Sequence, residues 1–370
     1  MNDRHAVMVF CRAGFESECL MELRRVITTL GLEAEGDAMP RSGHVLIRSG
    51  RAGDERILLE KISFRRLVFA RHIVLVDDGE TPLTPGDRIE TLCARLDVLS
   101  RRTGPFSRLW LGWPDHEEGR VLAPLCRALQ GRMEEGLRSR GLLDPNGQGV
   151  RAEVVFLEGT RALTGCSLPT NSSSWPMGIP RLRLPVASPS RSALKLEEAL
   201  VGLVGAEMTP REGQKAIDLG AAPGGWTWAM ARRGVSVTAV DRGALAAHVR
   251  NLPGVQHLRE DGFRFKPPVA VDWLLCDIVD QPRRVADLVA RWAGLGWCRW
   301  SIFNLKLPMK KRDEEVRLCQ DRIEAHLRSE GLGFQLRFRQ LYHDREEVTG
   351  FLGITTPSGG FPRRRRRDTA

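Results

Sequence analysis

The sequence predicts an α/β protein with a doubly wound sheet in its C-terminal half, preceded by a smaller α+β region. Three observations carry this. From residue 190 onward, helical and strand periods alternate regularly. A short apolar strand at residues 215–219 runs directly into a glycine-rich turn that opens a helix. A Ser- and Pro-rich stretch, residues 169–189, separates this regular part from the less regular chain before it.

In the N-terminal half, residues 6–11 read as a strand. Residues 16–30 read as an amphipathic helix with Leu20, Leu23, Val26, Ile27 and Leu30 on one face. Strand 44–48, helix 55–62 and strand 67–76 follow, up to a breaker-rich joint at 82–86 (PLTPG). Beyond it, 88–99 and 121–140 are expected as helices, 108–111 and 151–157 as strands. In the C-terminal half Ser192 is the expected N-cap of a helix over 194–204. Strand 215–219, helix 226–233 and strand 235–240 come next, then strands 272–276, 300–305, 334–341 and 348–354. The last two are expected as an antiparallel pair around a turn at 343–346. The expected division is an α+β unit over 1–85, a second N-terminal domain over 86–175, a linker over 176–189, the α/β domain over 190–356 and a disordered basic tail over 357–370.

A chain of 370 residues exceeds what one hydrophobic core usually holds, in keeping with several domains. Its first residues carry charge throughout, and no stretch has the apolar length of a membrane span. The eight cysteines are scattered, without a C-x-x-C pair or zinc-ligand spacing. A reduced, cytoplasmic protein without a metal, monomeric by default, is the expectation. The net charge of +10 and pI near 9.6 point to a polyanionic partner. Residues 1–175 hold equal numbers of acidic and basic residues, so the whole excess lies beyond them. Removing the arginine run Arg363 to Arg367 with the last three residues leaves the C-terminal half still basic.

In an open α/β sheet, ligands bind at the carboxyl ends of the strands. The turn Asp218-Leu-Gly-Ala-Ala-Pro-Gly-Gly-Trp226 lies there, and its small residues let a ligand approach the backbone. It lacks the G-x-G-x-x-G spacing of dinucleotide-binding folds and carries a proline inside. Asp241 ends the next strand, where a carboxylate can accept both hydroxyls of a ribose. Asp261 follows a further strand end, at a position suited to an adenine edge. Each aspartate alone reads better as a turn or cap residue. Three at successive strand ends point to a shared nucleoside.

Lysine is rare here, seven residues against 49 arginines. A lysine at a strand end is therefore a less casual choice, and only lysine can lose its proton and act as a base near neutrality. Lys306 ends an apolar strand, Asp277 ends another, Lys195 lies in the first turn of the helix before the sheet, and Glu347 starts the last strand. The topology brings all four to one edge. Taken singly, Lys306 reads as a solvated strand-end lysine and Glu347 as an exposed hairpin charge.

The motif DLGAAPGGW, with Asp241, Asp261 and Asp277 behind it, resembles the FtsJ-type ribose 2′-O-methyltransferases. So does the set Lys195 in SRSALKL, Asp277 in LLCDIVD, Lys306 in FNLKLP and Glu347 in REEV. The resemblance implies a Rossmann-like methyltransferase fold that binds S-adenosylmethionine at Ser190, Ala222, Pro223, Gly224, Gly225, Asp241, Asp261 and Asp277. It implies Lys306 as the base on a ribose hydroxyl, Asp277 orienting it, and Lys195 and Glu347 holding the ribose. A second cation in the pocket is expected to depress the Lys306 pKa. Glu346 stays open as an alternative to Glu347. Near the N-terminus, CRAGFESECLMEL resembles the ferredoxin-like unit that precedes THUMP domains, which are RNA-binding modules. The run from TGCSLPTNSSSWPMGIPRLRLP narrows the similarity to bacterial enzymes that methylate a cytidine of 23S ribosomal RNA, so the rRNA or its precursor is the implied partner. The balanced charge of residues 1–175 lends this half no electrostatic support, and Arg65, Arg66 and Arg71 are its candidate local basic face. Among rivals, a NAD-dependent oxidoreductase lacks its glycine spacing here. An enzyme that methylates the amino group of a base lacks its Asn-Pro-Pro-Tyr-like strand end, replaced by Asp277-Ile-Val-Asp280. A non-catalytic RNA-binding module on the same fold is the third.

Overall fold

The computed structural model describes residues 5–51, 53–77, 79–205 and 208–355. It divides into two compact units, residues 1–180 and 181–370, with the division inside the 176–189 stretch. The basic tail expected over 357–370 lies outside the described residues.

The first unit is one mixed sheet with helices. Its strands are β1 (His5–Phe10), β2 (Ala34–Asp37), β3 (His44–Ser49), β4 (His72–Asp77), β5 (Thr81–Pro82), β6 (Arg108–Gly112), β7 (Arg151–Glu158) and β8 (Arg161–Ser167). They lie in the order β2-β3-β1-β4-β8-β7-β6, with β5 against β8. Helices α1 (Glu16–Thr29) and α2 (Asp54–Lys61) pack against the β1–β4 part, and α3 (Arg88–Thr103) and α4 (Ala123–Ser139) against β8 and β6. The joint expected at 82–86 does not interrupt the sheet, because β4 and β5 both pair with β8. Strand β8 is missing from the sequence expectation, and a glycine inside such a run often marks close approach of another backbone. Here Gly165 is required by close approach: a Cβ on it would lie 2.9 Å from the Val76 Cα. Arg71 does not join a basic face. It is 3% exposed and donates from Nη1 to the Asp115 carboxylate at 2.8 Å, whereas Arg65 and Arg66 are exposed.

The second unit is the doubly wound sheet. After α5 (Ala193–Ala199) come β9 (Lys215–Leu219), α6 (Gly225–Ala231), β10 (Ser236–Val240), α7 (Ala247–Arg250), β11 (Val255–Leu258) and β12 (Val271–Cys276). Then follow α8 (Pro282–Gly294), β13 (Cys298–Lys306), α9 (Arg312–Ser329), β14 (Gly333–Arg339) and β15 (Glu347–Thr355). The order is β11-β10-β9-β12-β13-β15-β14. The first five strands are parallel and β15 is antiparallel to both its neighbours. The helix expected over 194–204 is α for only its first half and continues as a π turn, Leu200–Val204. Ser192 occupies the N-cap position without capping, because its hydroxyl meets the Ser190 hydroxyl at 2.7 Å.

The core beneath the strand ends is aromatic and aliphatic: Trp226, Trp228, Trp273, Leu275, Ile302 and Phe351 are buried together. The Trp273 and Trp300 rings lie 4.9 Å apart, so these tryptophans are packing residues, as their apolar strands imply. On the other side of the pairing, Phe303 of β13 faces Gly350 of β15 across the ladder. A Cβ on Gly350 would stand 2.6 and 2.8 Å from the Phe303 ring carbons Cε2 and Cε1. The glycine is there to receive the ring. Gly350→Ala is therefore expected to destabilise the protein by about 1–3 kcal/mol through overpacking, read as a lower urea midpoint.

Candidate active site

The carboxyl ends of β9, β10, β12 and β13 and the start of antiparallel β15 share one edge of the sheet. The backbone there is tied across strands: the Asp277 amide donates to the Leu219 carbonyl at 3.1 Å, and the Gly220 amide to the Val240 carbonyl at 3.0 Å. Register then places the side chains. Lys306 and Glu347 are cross-strand partners on β13 and β15, and their neighbours two residues inward, Asn304 and Thr349, are partners as well.

Lys306 Nζ donates to Asp277 Oδ1 at 3.1 Å and to Glu347 Oε2, while Lys195 Nζ pairs with Glu347 Oε1. The four expected residues thus form one chain of alternating charge, Lys195–Glu347–Lys306–Asp277. The cluster is largely shielded, with side-chain exposures of 24% for Lys306, 18% for Asp277, 15% for Lys195 and 7% for Glu347. Glu346 points away: its side chain is 61% exposed and pairs with Arg312 at 2.6 Å. One residue along a strand means the opposite face, which separates the two glutamates.

The electrostatics correct one expectation. Burial favours the neutral amine of Lys306, but the charges and hydrogen bonds of Asp277 and Glu347 outweigh it and leave the pKa above the ordinary lysine value. The neighbouring cation was expected to lower it. The reason is the order of charges: Glu347 stands between the two lysines, so each meets a carboxylate first. Burial likewise favours the neutral acid of Glu347, and Lys306 and Lys195 reverse it, holding this carboxyl below its usual range.

The glycine turn follows β9. Gly224 has φ of 108°, and a Cβ there would meet Val249 Cγ1 at 2.9 Å. A Cβ on Gly225 would lie 2.5 Å from the Ser190 hydroxyl. Ser190, Ser192 and the turn are thus packed directly together, and the Trp226 indole N–H fastens them by donating to the Ser192 carbonyl at 2.9 Å. Ala222 is partly exposed and Pro223 exposed, with the Pro223 carbonyl accepting from the Ala246 amide at 3.0 Å. Asp241 accepts from the Ala222 and Gly243 amides at 3.0 and 2.7 Å, so it shapes the turn as well as facing the edge. Asp261 accepts from the Phe263 amide and from Arg242, both at 2.9 Å. Asp241 and Asp261 remain partly exposed with lone pairs to spare, as a ligand bearing hydroxyl and amino donors requires.

Four residues near the site, Glu198, Asn304, Thr349 and Asp344, were not singled out from sequence, and Asp218 was read only as one of the strand-end aspartates. Glu198 on α5 accepts from the Tyr342 and His343 amides at 2.7 and 3.0 Å, which clamps the turn before β15 to the helix carrying Lys195. Asn304, Thr349 and Asp344 form a buried polar set behind Asp277. Asp218 is buried beneath the turn, where Thr227 Oγ1 donates to its Oδ2 at 2.6 Å and its Oδ1 has no hydrogen-bond partner among the described residues. A buried carboxyl oxygen without a partner below the glycine turn fits a site that exchanges a hydrogen bond with a ligand. For Asn304, Thr349 and Asp218 the one signal was a polar letter inside an apolar strand, as in Phe-Asn304-Leu-Lys, whereas Glu198 on its helix and Asp344 in its turn carried none. Among the described residues, no group of three or more His, Cys, Asp or Glu is set to hold a metal ion, and all eight cysteines are buried and free.

Burial, with the charges of Asp277 and Asp241 adding and the Thr227 hydrogen bonds opposing, pushes the Asp218 carboxyl from 3.8 up to about 7. The folded protein therefore keeps this proton to higher pH than the unfolded chain, and stability falls as pH rises between the two values. Asp218→Asn is expected to remove that dependence. Its stability relative to wild type should grow from pH 4 to 7 by an amount on the order of 4 kcal/mol, measured by urea melts across the range.

Known proteins resemble this chain in both units. A model described as the RlmM ferredoxin-like domain matches residues 4–74, and one described as FtsJ-like methyltransferase matches residues 189–294. The chain is 41% identical to the ribosomal RNA large subunit methyltransferase M of Marinomonas sp. (strain MWYL1), covering 93% of this chain and 97% of that one. It is 43% identical to the protein of that name from Methylococcus capsulatus, over 96% and 100% of the two chains. To the one from Xylella fastidiosa (strain M12) it is 44% identical, over 93% and 97%. With this identity sustained along both units, the chain belongs to the ribosomal RNA large subunit methyltransferase M family.

Proposed function

We propose that this protein methylates the ribose 2′-hydroxyl of a cytidine in 23S ribosomal RNA or its precursor, using S-adenosylmethionine, with Lys306 as general base. The single observation behind the reading is the Lys195–Glu347–Lys306–Asp277 cluster at the strand ends beside the glycine turn. A ribose hydroxyl is a very weak acid, and an amine held in place by two carboxylates is suited to receive its proton. The cofactor, when bound, supplies an electrophilic methyl group on a sulfonium.

The turn residues Ala222, Pro223, Gly224 and Gly225, with Ser190, are assigned to the cofactor backbone side, Asp241 to the ribose diol and Asp261 to the adenine edge. Asp277 lies between that region and Lys306 and serves both. Lys306 Nζ would receive the 2′-hydroxyl proton, and the cofactor would give its methyl group to that oxygen and leave as a neutral thioether. Lys306 must first be neutral, and in the resting protein the carboxylates favour its ammonium form. Bringing a cation to the same strand ends disfavours that form, since like charges oppose protonation. Lys195 and Glu347 hold the ribose and keep the summed charge near zero throughout. In the domain assignment that accompanies this reading, residues 1–85 are a ferredoxin-like unit, 86–175 a THUMP-like domain that contacts RNA and 190–356 the methyltransferase domain. The protein acts as a cytoplasmic monomer.

The test is methylation of unmodified 23S rRNA with labelled cofactor, followed by alkaline hydrolysis. A ribose methyl leaves an uncleaved dinucleotide, and a base methyl does not. Lys306→Ala should lose on the order of 10²–10⁴ in turnover while binding the cofactor nearly as wild type, measured by calorimetry. Lys306→Arg should fail too, because guanidinium stays protonated. Near-normal turnover by either variant at saturating substrate contradicts the base assignment.

A further inference from the structure

Behind the cluster lies a buried polar relay that the reaction as described does not use. Asn304 Nδ2 donates to Asp277 Oδ1 at 2.9 Å, the same oxygen that accepts from Lys306. This fixes the Asn304 amide, since the reversed orientation would set its carbonyl against a carboxylate. Asn304 Oδ1 then faces Thr349 Oγ1 at 2.8 Å, and Thr349 Oγ1 in turn lies 3.2 and 3.1 Å from Asp344 Oδ1 and Oδ2. Asn304 and Thr349 are wholly buried and Asp344 is 1% exposed.

Counting protons settles the direction. An amide oxygen, a hydroxyl and a carboxyl group meet here, and the hydroxyl has one proton. If Thr349 donates to Asn304, the contact with Asp344 lacks a proton; if it donates to Asp344, the contact with Asn304 does. A second proton on Asp344 satisfies both. Asp344 Oδ2 already accepts from the Leu341 amide at 2.9 Å, which leaves Oδ1 to carry it. Burial, and then the charges of Glu347 and Glu198 against the hydrogen bond from the Leu341 amide and the charge of Lys195, push this carboxyl well above the usual aspartate range, in the same direction.

We propose that Asn304 is a positioning residue for the methyl transfer, oriented by Thr349 and a neutral Asp344 so that its amide holds Asp277 against Lys306. The proposal rests on Lys306 being the base. It explains why Asn304 and Thr349 are buried as a cross-strand pair at the ladder position next to Lys306 and Glu347, with Asp344 of the preceding turn against them.

The test compares full-length Thr349→Val and Thr349→Ser with wild type on 23S rRNA. The Val variant should lose about ten-fold in kcat, the worth of one hydrogen bond, with KM for RNA and cofactor little changed. Its kcat–pH profile should move to lower pH, because a loosened Asp277 supports the Lys306 ammonium less. The groups facing that amine are Asp277 just after β12, Glu347 on β15 and, beyond it, Lys195 on α5, none of them altered by the substitution. The Ser variant should restore both readouts. A merely structural role lowers the melting temperature without moving the profile, and a folded Val variant with unchanged kcat and profile overturns the proposal. So does a Ser variant that fails to recover. Should the Val variant not fold, carboxyl-carbon NMR of the wild type decides, since Asp344 must stay protonated at neutral pH and an ionised Asp344 overturns the relay. Lys306→Ala is run in parallel. An active Lys306→Ala removes the base assignment itself, whereas an inactive one beside an unaffected Thr349→Val removes only the positioning claim.

Discussion

The antiparallel pairing of β13 with β15 is the constraint on which the site depends. It sets Lys306 opposite Glu347 and Asn304 opposite Thr349, so an amine and a carboxylate from strands 41 positions apart meet within hydrogen-bond reach. Side chains alternate along a strand, so a slip of one residue would turn Glu347 away and bring Glu346 in. The register is pinned from both ends. Phe303 over Gly350 fixes it within the core, and Glu198 clamps the turn that leads into β15. The catalytic reading, the buried relay and the shielding of the lysines all follow from that register.

Charge balance is the second theme. Two lysines and two carboxylates share a small, mostly shielded volume, where an unpaired ion would be costly. Their alternating order makes each charge the partner of its neighbours. The same order raises the Lys306 pKa above its ordinary value, so the resting protein holds this amine as its ammonium ion. In this account proton release is part of substrate and cofactor binding, and the free protein is protected from presenting a reactive amine.

Much of this was legible in the sequence because it lay in local patterns. The glycine turn after an apolar strand, the acidic residues at strand ends and the rare lysine at the end of β13 are each local signals, and the parallel order follows from helix–strand alternation. What stayed hidden depends on contacts between distant segments. Strand β8 contains a glycine demanded by the neighbouring backbone at Val76, and β2 is too short to show a period. The choice between Glu346 and Glu347 turns on register, which no single segment carries. Arg71 was read as a surface cation because nothing nearby in sequence announces Asp115. The direction of the Lys306 shift was misread for a related reason: motif letters say which charges gather, and only geometry says in what order.

The central claim is that Asp277 and Glu347 hold Lys306 as an ammonium ion in the resting protein. The seven lysines make it directly measurable, because side-chain carbon-labelled lysine gives few enough NMR signals to follow individually through a pH titration. The signal lost in Lys306→Ala identifies the residue. The account predicts that it titrates above the value of about 10.4 expected for a free lysine. A Lys306 that titrates at or below that value would contradict it.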